Sequence, residues 1–395
     1  MNETASSERV HIGFFGRSNV GKSSLMNAVT AQEMSVVSPV RGTTTDPVQK
    51  SMELLPLGPV VMMDTPGLDD DTALGSLRVN RARQTLNRTD IAVLVLDGTV
   101  GLTEEDAAIL ELIQKKQIPC VVAVNKADLP QAELSIQGVP VVAVSAKTGQ
   151  GVHELKEAIA KAQPTGDNGR RIIADLLSPG DLVLLVTPID AAAPKGRLIL
   201  PQVQTLRDIL DSNALGLVVK ETELPAALAR LSVPPKLVVT DSQVFAKVAK
   251  IVPQNLPLTS FSILFSRYKG YLAGAVKGVH ALDSLKDGDA VLISEGCSHH
   301  RQCGDIGTEK LPKLIRSRCE KELQFEFTSG TGFPDDLSRY AVVVHCGGCM
   351  LTEREMHYRA KCAEDQGIPF TNYGITIAHL NGILERCIAP VKHSL

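Results

Sequence analysis

A chain of 395 residues is too long for a single hydrophobic core, so two or three domains are expected. Its formal net charge of −3 gives it no overall pull toward nucleic acid, and no apolar run reaches the ~18 residues that would span a bilayer. The polar start Met1-Asn2-Glu3-Thr4 is unlike a signal peptide, so a cytoplasmic location is expected, where the eight Cys are thiols or metal ligands before they are disulfides.

Residues 1–165 carry the strongest signal. Val10 to Phe15 reads as a strand. It runs into Gly16-Arg17-Ser18-Asn19-Val20-Gly21-Lys22-Ser23-Ser24 and then a helix through about Thr30. That is G-x-x-x-x-G-K-[ST] in its strand–loop–helix setting. The glycines let backbone N–H groups turn inward around phosphate oxygens. Lys22 adds charge at the β/γ-phosphates, and Ser23 offers a hydroxyl to Mg²⁺. In the loop Gly42-Thr43-Thr44-Thr45-Asp46, Thr44 is the first choice and Thr45 the second to meet Mg²⁺ and the γ-phosphate. The strand Val60 to Met63 ends in Asp64-Thr65-Pro66-Gly67, where Asp64 would hold Mg²⁺ and the Gly67 N–H would sense the γ-phosphate.

Cys120 to Val124 reads as a strand ending in Asn125-Lys126-Ala127-Asp128. The Asp128 carboxylate can accept from N1–H and N2–H₂ of guanine, a donor pair that adenine lacks. Val141 to Val144 ends in Ser145-Ala146-Lys147, whose backbone can reach the guanine oxygen. Five motifs in this order resemble the translation-factor-like GTPases, in the branch with tRNA-modifying and ribosome-assembly members. Two positions stand out. Leu68 occupies the place of a water-positioning Gln, so it cannot orient the attacking water. Asn19 matches the position that coordinates K⁺ in the related potassium-activated enzymes, and equally suits a tight turn. The resemblance implies slow hydrolysis, faster in K⁺ than in Na⁺.

Gln163 to Gly169 has the composition of a linker. Residues 170–258 alternate strands and helices. The strands are Leu182–Val186, Leu198–Leu200, Gly216–Val219 and Lys236–Thr240; the helices are Gln202–Asp211, Leu224–Leu231 and Gln243–Ile251. This small α/β layer contains no nucleophile–base pair. Asp190, Lys195 and Arg197 read as a solvated loop. So small a sheet is expected to pair with a copy of itself in a homodimer.

Residues 262–395 hold a ligand constellation. The apolar run Val291-Leu292-Ile293 leads to Cys297-Ser298-His299, and Val342-Val343-Val344 leads to His345-Cys346-Gly347-Gly348-Cys349. Two neighbouring parallel strands would deliver both loops to one sheet edge. Glu309–Cys319, Glu353–Asp365 and Ile375–Arg386 read as helices and Leu323–Phe327 as a strand. Spacing leaves three chemistries open: a closed zinc site, an iron–sulfur cluster on three thiolates, or a redox pair. Gly347-Gly348 favours close approach to something bulky. Asp305 and Glu295 compete with His299 and His345 for a fourth ligand position. His300 and Cys303 lie off the motif, and Cys319, Cys362 and Cys387 read as core thiols.

A GTPase of this branch followed by Cys-x-His and His-Cys-x-x-Cys resembles the iron–iron hydrogenase maturation GTPases, the HydF-type scaffolds, across all three domains. The resemblance implies a four-iron, four-sulfur cluster on Cys297, Cys346 and Cys349, with His299 and His345 as candidate fourth ligands. It implies a transient diiron precursor with CO and cyanide ligands, made with two radical-SAM maturases and delivered to apo FeFe hydrogenase. The rival reading is an RNA- or ribosome-directed GTPase with a zinc module. Residues 262–395 carry as many acidic as basic residues, whereas an RNA platform should be basic.

Overall fold

The computed structural model describes residues 9–30, 48–55, 57–65, 85–163, 170–189, 198–296, 305–330 and 332–394. Thr44, Thr45, Gly67, Leu68, Asp190, Lys195, Arg197, Cys297, His299, His300 and Cys303 lie outside the described residues. The chain divides into two compact units, Met1–Gly166 and Asp167–Leu395.

In the first unit six strands form one sheet: β1 (Val10–Phe15), β2 (Val48–Leu54), β3 (Gly58–Asp64), β4 (Ile91–Asp97), β5 (Cys120–Asn125) and β6 (Val141–Ala143). Their order is β2-β3-β1-β4-β5-β6, with β2 antiparallel to β3 and the remaining pairs parallel. Parallel strands need both faces covered, and the sequence alternates to suit. Ile12, Phe14, Val93, Val95, Val121 and Ala123 pack in one core. Helices α1 (Lys22–Thr30) and α3 (Val152–Ala162) close it with Leu25, Met26, Leu155 and Ile159. Phe15, Leu94, Leu96, Val122 and Val124 face the other way, under Ile109, Leu110 and Ile113 of α2 (Glu104–Lys115). Thr103 and Asp106 start α2 with a capping box.

The second unit carries two sheets. The first contains β7 (Leu182–Val186), β8 (Leu215–Val219), β9 (Leu237–Thr240) and β10 (Leu258–Ser260), in the order β10-β9-β7-β8. Helices α4 (Leu200–Asp211), α5 (Leu224–Arg230) and α6 (Phe245–Ile251) connect its strands. Two further helices, α7 (Phe261–Tyr268) and α8 (Leu272–Val279), lead to the second sheet. That sheet contains β11 (Ala290–Ser294), β12 (Gln324–Thr328), β13 (Tyr340–His345) and β14 (Phe370–Asn372), in the order β12-β11-β13-β14. All pairings in both sheets are parallel. Around the second sheet lie α9 (Leu311–Cys319), α10 (Glu353–Asp365), α11 (Tyr373–Leu380) and α12 (Leu384–Ile388). One continuous apolar core joins Leu184 and Val239 of the first sheet, through Phe265 and Leu272 of α7 and α8, to Val291 and Val343 of the second.

Two sequence expectations need correction. Leu198–Leu200 is not a strand. Leu200 opens α4 with Pro201 behind it, and the Ile199 N–H donates to the Gln202 side chain at 3.2 Å. Proline at a first helical turn has no N–H to waste and fixes φ for the helix, which outweighs the β-forming apolar triplet. Ile375–Arg386 is not one helix but α11 and α12. The chain turns at Gly382 (φ 69°), where the Ile383 N–H returns to the Ala378 carbonyl at 2.9 Å. This is a left-handed helix stop. Among the other thiols, Cys387 is buried, while Cys319 and Cys362 are half-buried.

A shared core predicts shared unfolding. Phe265→Ala should cost about 3–5 kcal/mol and move the loss of both sheets of the second unit together in a urea titration. Separate transitions for the β7–β10 and β11–β14 sheets would contradict this.

Candidate functional site

The nucleotide motifs meet at the carboxyl ends of β1, β3, β4 and β5, where open α/β sheets bind ligands. Gly21 has φ 92°, and a Cβ there would lie 2.3 Å from Asn125 Nδ2, so only glycine fits. The buried Asn125 amide ties three motifs together. Its Nδ2 donates to the Val20 carbonyl at 2.9 Å, and its Oδ1 accepts from the Ala146 N–H at 3.0 Å. Ser145 Oγ donates to Asp128 Oδ1 at 2.7 Å and accepts from the Thr148 N–H at 3.2 Å. The Ser145 hydrogen bond holds the exposed Asp128 carboxyl below the usual range, ionised and ready to accept.

The phosphate side is equally assembled. Lys22 is buried, and its Nζ donates to the carbonyls of Gly16 at 3.0 Å and Arg17 at 2.6 Å. Ser23 Oγ donates to Asp64 Oδ2 at 2.5 Å, so two of the three expected Mg²⁺ ligands touch. Asn19 stands in the left-handed region (φ 63°), Val20 is buried, Ser24 lies on α1 and Lys147 is exposed. Two contacts escaped sequence reasoning. Lys126 Nζ pairs with Asp97 Oδ2 at 2.5 Å, and Arg17 Nε pairs with the buried Asp106 of α2 at 3.1 Å. The Asp-Gly that ends the apolar run Ile91–Leu96 was a signal for the first; nothing local marks the second.

In the second unit β11 and β13 lie side by side with Ser294 opposite His345. The ladder runs one step further, from the Cys346 N–H to the Ser294 carbonyl at 2.8 Å. Beyond it come Gly296, the last described residue before Cys297, and the turn from Cys346 to Cys349. Gly296, the residue before Cys297, donates its N–H to Cys346 Sγ at 3.1 Å, and the Gly348 N–H approaches the same sulfur at 3.4 Å. Gly348 has φ 62°, and a Cβ there would strike Met356 of α10. The loop therefore turns tightly around the Cys346 sulfur before the Thr352 N-cap starts α10.

His345 is completely buried between strand and helix. Its Nδ1 meets the Cys346 carbonyl at 2.7 Å and its Nε2 meets Arg359 Nη1 at 3.0 Å. Carbonyl and guanidinium together fix the tautomer: Nδ1–H donates, and Nε2 accepts. Burial and then the Arg359 charge push the imidazole down to about 3, so it is neutral. Arg359, also fully buried, donates in addition to Glu355 at 2.8 Å and to the Gly330 carbonyl at 2.7 Å. With both ring nitrogens engaged, His345 braces the loop in this arrangement. The buried Glu295 accepts from Tyr373 Oη–H at 3.3 Å. Asp305 caps the turn before α9, accepting from the Thr308 N–H at 2.9 Å.

The unforeseen residue is Lys269, at the C-terminal cap of α7. Its buried ammonium donates to the carbonyls of Gly348 at 2.5 Å and Leu351 at 2.8 Å, flanking Cys349. Burial lowers its pKa to about 8, against the opposing pull of Cys349, Cys346 and Glu353. Burial raises the Cys349 thiol, while Lys269 lowers it.

Comparison with known proteins matches these divisions. Residues 172–270 match the Hydrogen maturase F dimerization domain and 273–390 its tetramerization domain; 11–126 match a 50S ribosome-binding GTPase family. The tRNA modification GTPase MnmE of Heliobacterium modesticaldum is 38% identical over 162 residues, 39% of this chain and 34% of that protein. GTPase Der of Nitratiruptor sp. is 30% identical over 230 residues, 51% of this chain and 50% of that protein. The chain thus spans half or less of these curated relatives. The structure of an Era variant from Aquifex aeolicus bound to GDP and AlF4⁻ is 21% identical, covering 53% of this chain and 92% of that one with a TM-score of 0.35. With a P-loop GTPase domain followed by both maturase F domains in tandem, the chain belongs to the HydF-type hydrogenase maturation GTPases.

Proposed function

We propose that this GTPase is a scaffold that holds a four-iron, four-sulfur cluster on Cys297, Cys346 and Cys349 and carries the diiron precursor to apo FeFe hydrogenase. The observation that carries the reading is the Gly296 N–H on Cys346 Sγ, which joins the stem of one cysteine loop to the sulfur of the other. The donor set fits such a group. Backbone N–H groups directed at a thiolate, a buried cation and a tight glycine turn are what a bulky anionic cluster needs around it. When bound, the cluster supplies an iron corner open to exchange. The diiron species, with its CO and cyanide ligands, is cargo. It is received from two radical-SAM maturases and passed on. His299 is the better candidate for the open corner, because His345 is spent on Cys346 and Arg359.

The nucleotide steps belong to the first unit. Lys22 steadies the β/γ-phosphates, Ser23, Thr44 and Asp64 hold Mg²⁺, and the Gly67 N–H reports the γ-phosphate. Asn19 coordinates K⁺, which supplies the charge that a catalytic arginine would otherwise bring. Leu68 leaves the attacking water without a side-chain partner, so turnover is slow and suits a timer for partner exchange. The protein works in the cytoplasm; among the described residues no helix is long and apolar enough to cross a membrane. A second copy pairs along β8, an edge strand with Leu215 and Val218 exposed.

Anaerobic reconstitution tests the metal reading. The parent chain should take up iron and sulfide in equal amounts, while Cys346→Ala and Cys349→Ala should lose most of both. Colourless zinc protein, or full iron in both variants, would overturn it. Hydrolysis should run faster in KCl than in NaCl and lose the difference in Asn19→Ala; equal rates in the two salts for the parent would remove K⁺ from the account. Lys22→Ala should lower kcat by about 100-fold or more. Light scattering should give a dimer or larger assembly for the parent and a smaller species for Val218→Asp; a parent that stays monomeric at micromolar concentration argues against pairing along β8.

A further inference from the structure

We propose that Lys269 is a positioning residue for the metal centre: its ammonium fixes the Cys346–Cys349 loop and supplies the positive charge that sets the centre's reduction potential. The inference rests on reading that loop as a cluster ligand. Lys269 does not belong to the cysteine motif or to the second sheet. It caps α7, a helix that ends where the Lys269 N–H returns to the Phe265 carbonyl at 2.9 Å and the Tyr271 N–H to that of Ser266 at 3.0 Å. The match to the dimerization domain ends one residue later, at 270. The centre is therefore completed by a residue from the neighbouring segment of the chain.

Three observations carry this. First, an ammonium is rarely buried unless its charge is answered. Here the two acceptors at bonding distance are neutral carbonyls, Gly348 and Leu351, on either side of Cys349. The ionisable groups close enough to act on it are Cys349, Cys346 and the half-buried Glu353. Glu353 already faces Arg170 and lies 3.5 Å from His357, so it is shared. On the cluster reading, metal-bound Cys346 and Cys349 would be the thiolates left to Lys269. Second, the ammonium ties both ends of the tight bend: it is a second donor to the Gly348 carbonyl, which also accepts from the Leu351 N–H at 3.0 Å, and it donates to the Leu351 carbonyl at 2.8 Å. Third, Arg359 and the neutral His345 brace the same loop through β13, and the Arg359 charge is met by Glu355 at 2.8 Å. They supply geometry, whereas Lys269 supplies geometry and net charge.

A positive charge close to a cluster stabilises its more negative, reduced state. The Lys269→Gln variant keeps a donor for one carbonyl and removes the charge. Lys269→Arg keeps the charge. Both would be made in the full chain, checked for folding by circular dichroism, reconstituted anaerobically and titrated with dithionite under electron paramagnetic resonance. The expected result is a more negative midpoint potential in Lys269→Gln, with iron lost to a chelator about tenfold faster than from the parent. Lys269→Arg should hold the parent potential. An iron-loaded Lys269→Gln chain at the parent potential would overturn the inference. So would an Arg variant whose potential falls as far as that of the Gln variant. A parent chain that takes up no iron would instead sink the underlying cluster reading, and the two failures are told apart before any variant is compared.

Discussion

The arrangement depends on one pairing: β13 laid parallel to β11 with Ser294 opposite His345. Parallel strands end at the same edge of a sheet, so Gly296 and Cys346, far apart in sequence, leave the ladder together. A slip of one residue would turn every side chain to the opposite face. His345 would then lose its buried partners, and Cys346 would lose the Gly296 N–H. The register is held by the apolar run Val342-Val343-Val344, completely buried, and by Arg359, whose guanidinium satisfies His345, Glu355 and Gly330 at once. Removing one member of such a buried charged set leaves the others uncompensated, a loss of about 3–5 kcal/mol. That sensitivity is how a chain can hold a ligand loop rigid against one face of a sheet.

The first unit applies the same principle to phosphate. Its ligands also sit at strand ends, and its motifs are bound to each other before they meet a nucleotide. Asn125 joins the P-loop to Ala146, Ser145 orders Asp128, and Ser23 meets Asp64. Preorganised donors and acceptors need no rearrangement when the ligand arrives, so little binding energy is spent on ordering them.

Much of this was legible in the sequence, for a physical reason. Strand ends that bind phosphate or metal place their ligands within a few residues of an apolar run, and such runs announce themselves. The four nucleotide motifs at strand ends and the His345–Cys349 loop were found in this way; the Gly42–Asp46 motif sits in a polar loop and, like Cys297, lies outside the described residues. What was missed acts across the chain. Lys269 reaches its carbonyls from 79 and 82 residues away, and Arg17 meets Asp106 from 89. No periodicity records such contacts. Leu198–Leu200 misled because three apolar residues suit a strand or a helix entry alike, and the deciding residue was Pro201. Ile375–Arg386 misled because Gly382 was not weighed as a stop. His345 is a candidate ligand in the sequence because it adjoins Cys346; its burial and its two partners could only be seen in three dimensions.

The most direct test is anomalous scattering at the iron edge from crystals of the anaerobically prepared chain. The account predicts an iron peak bonded to the sulfurs of residues 297, 346 and 349, beside the Lys269 ammonium. A peak at the zinc edge alone, or sulfurs of 346 and 349 joined to each other with no metal, would contradict it.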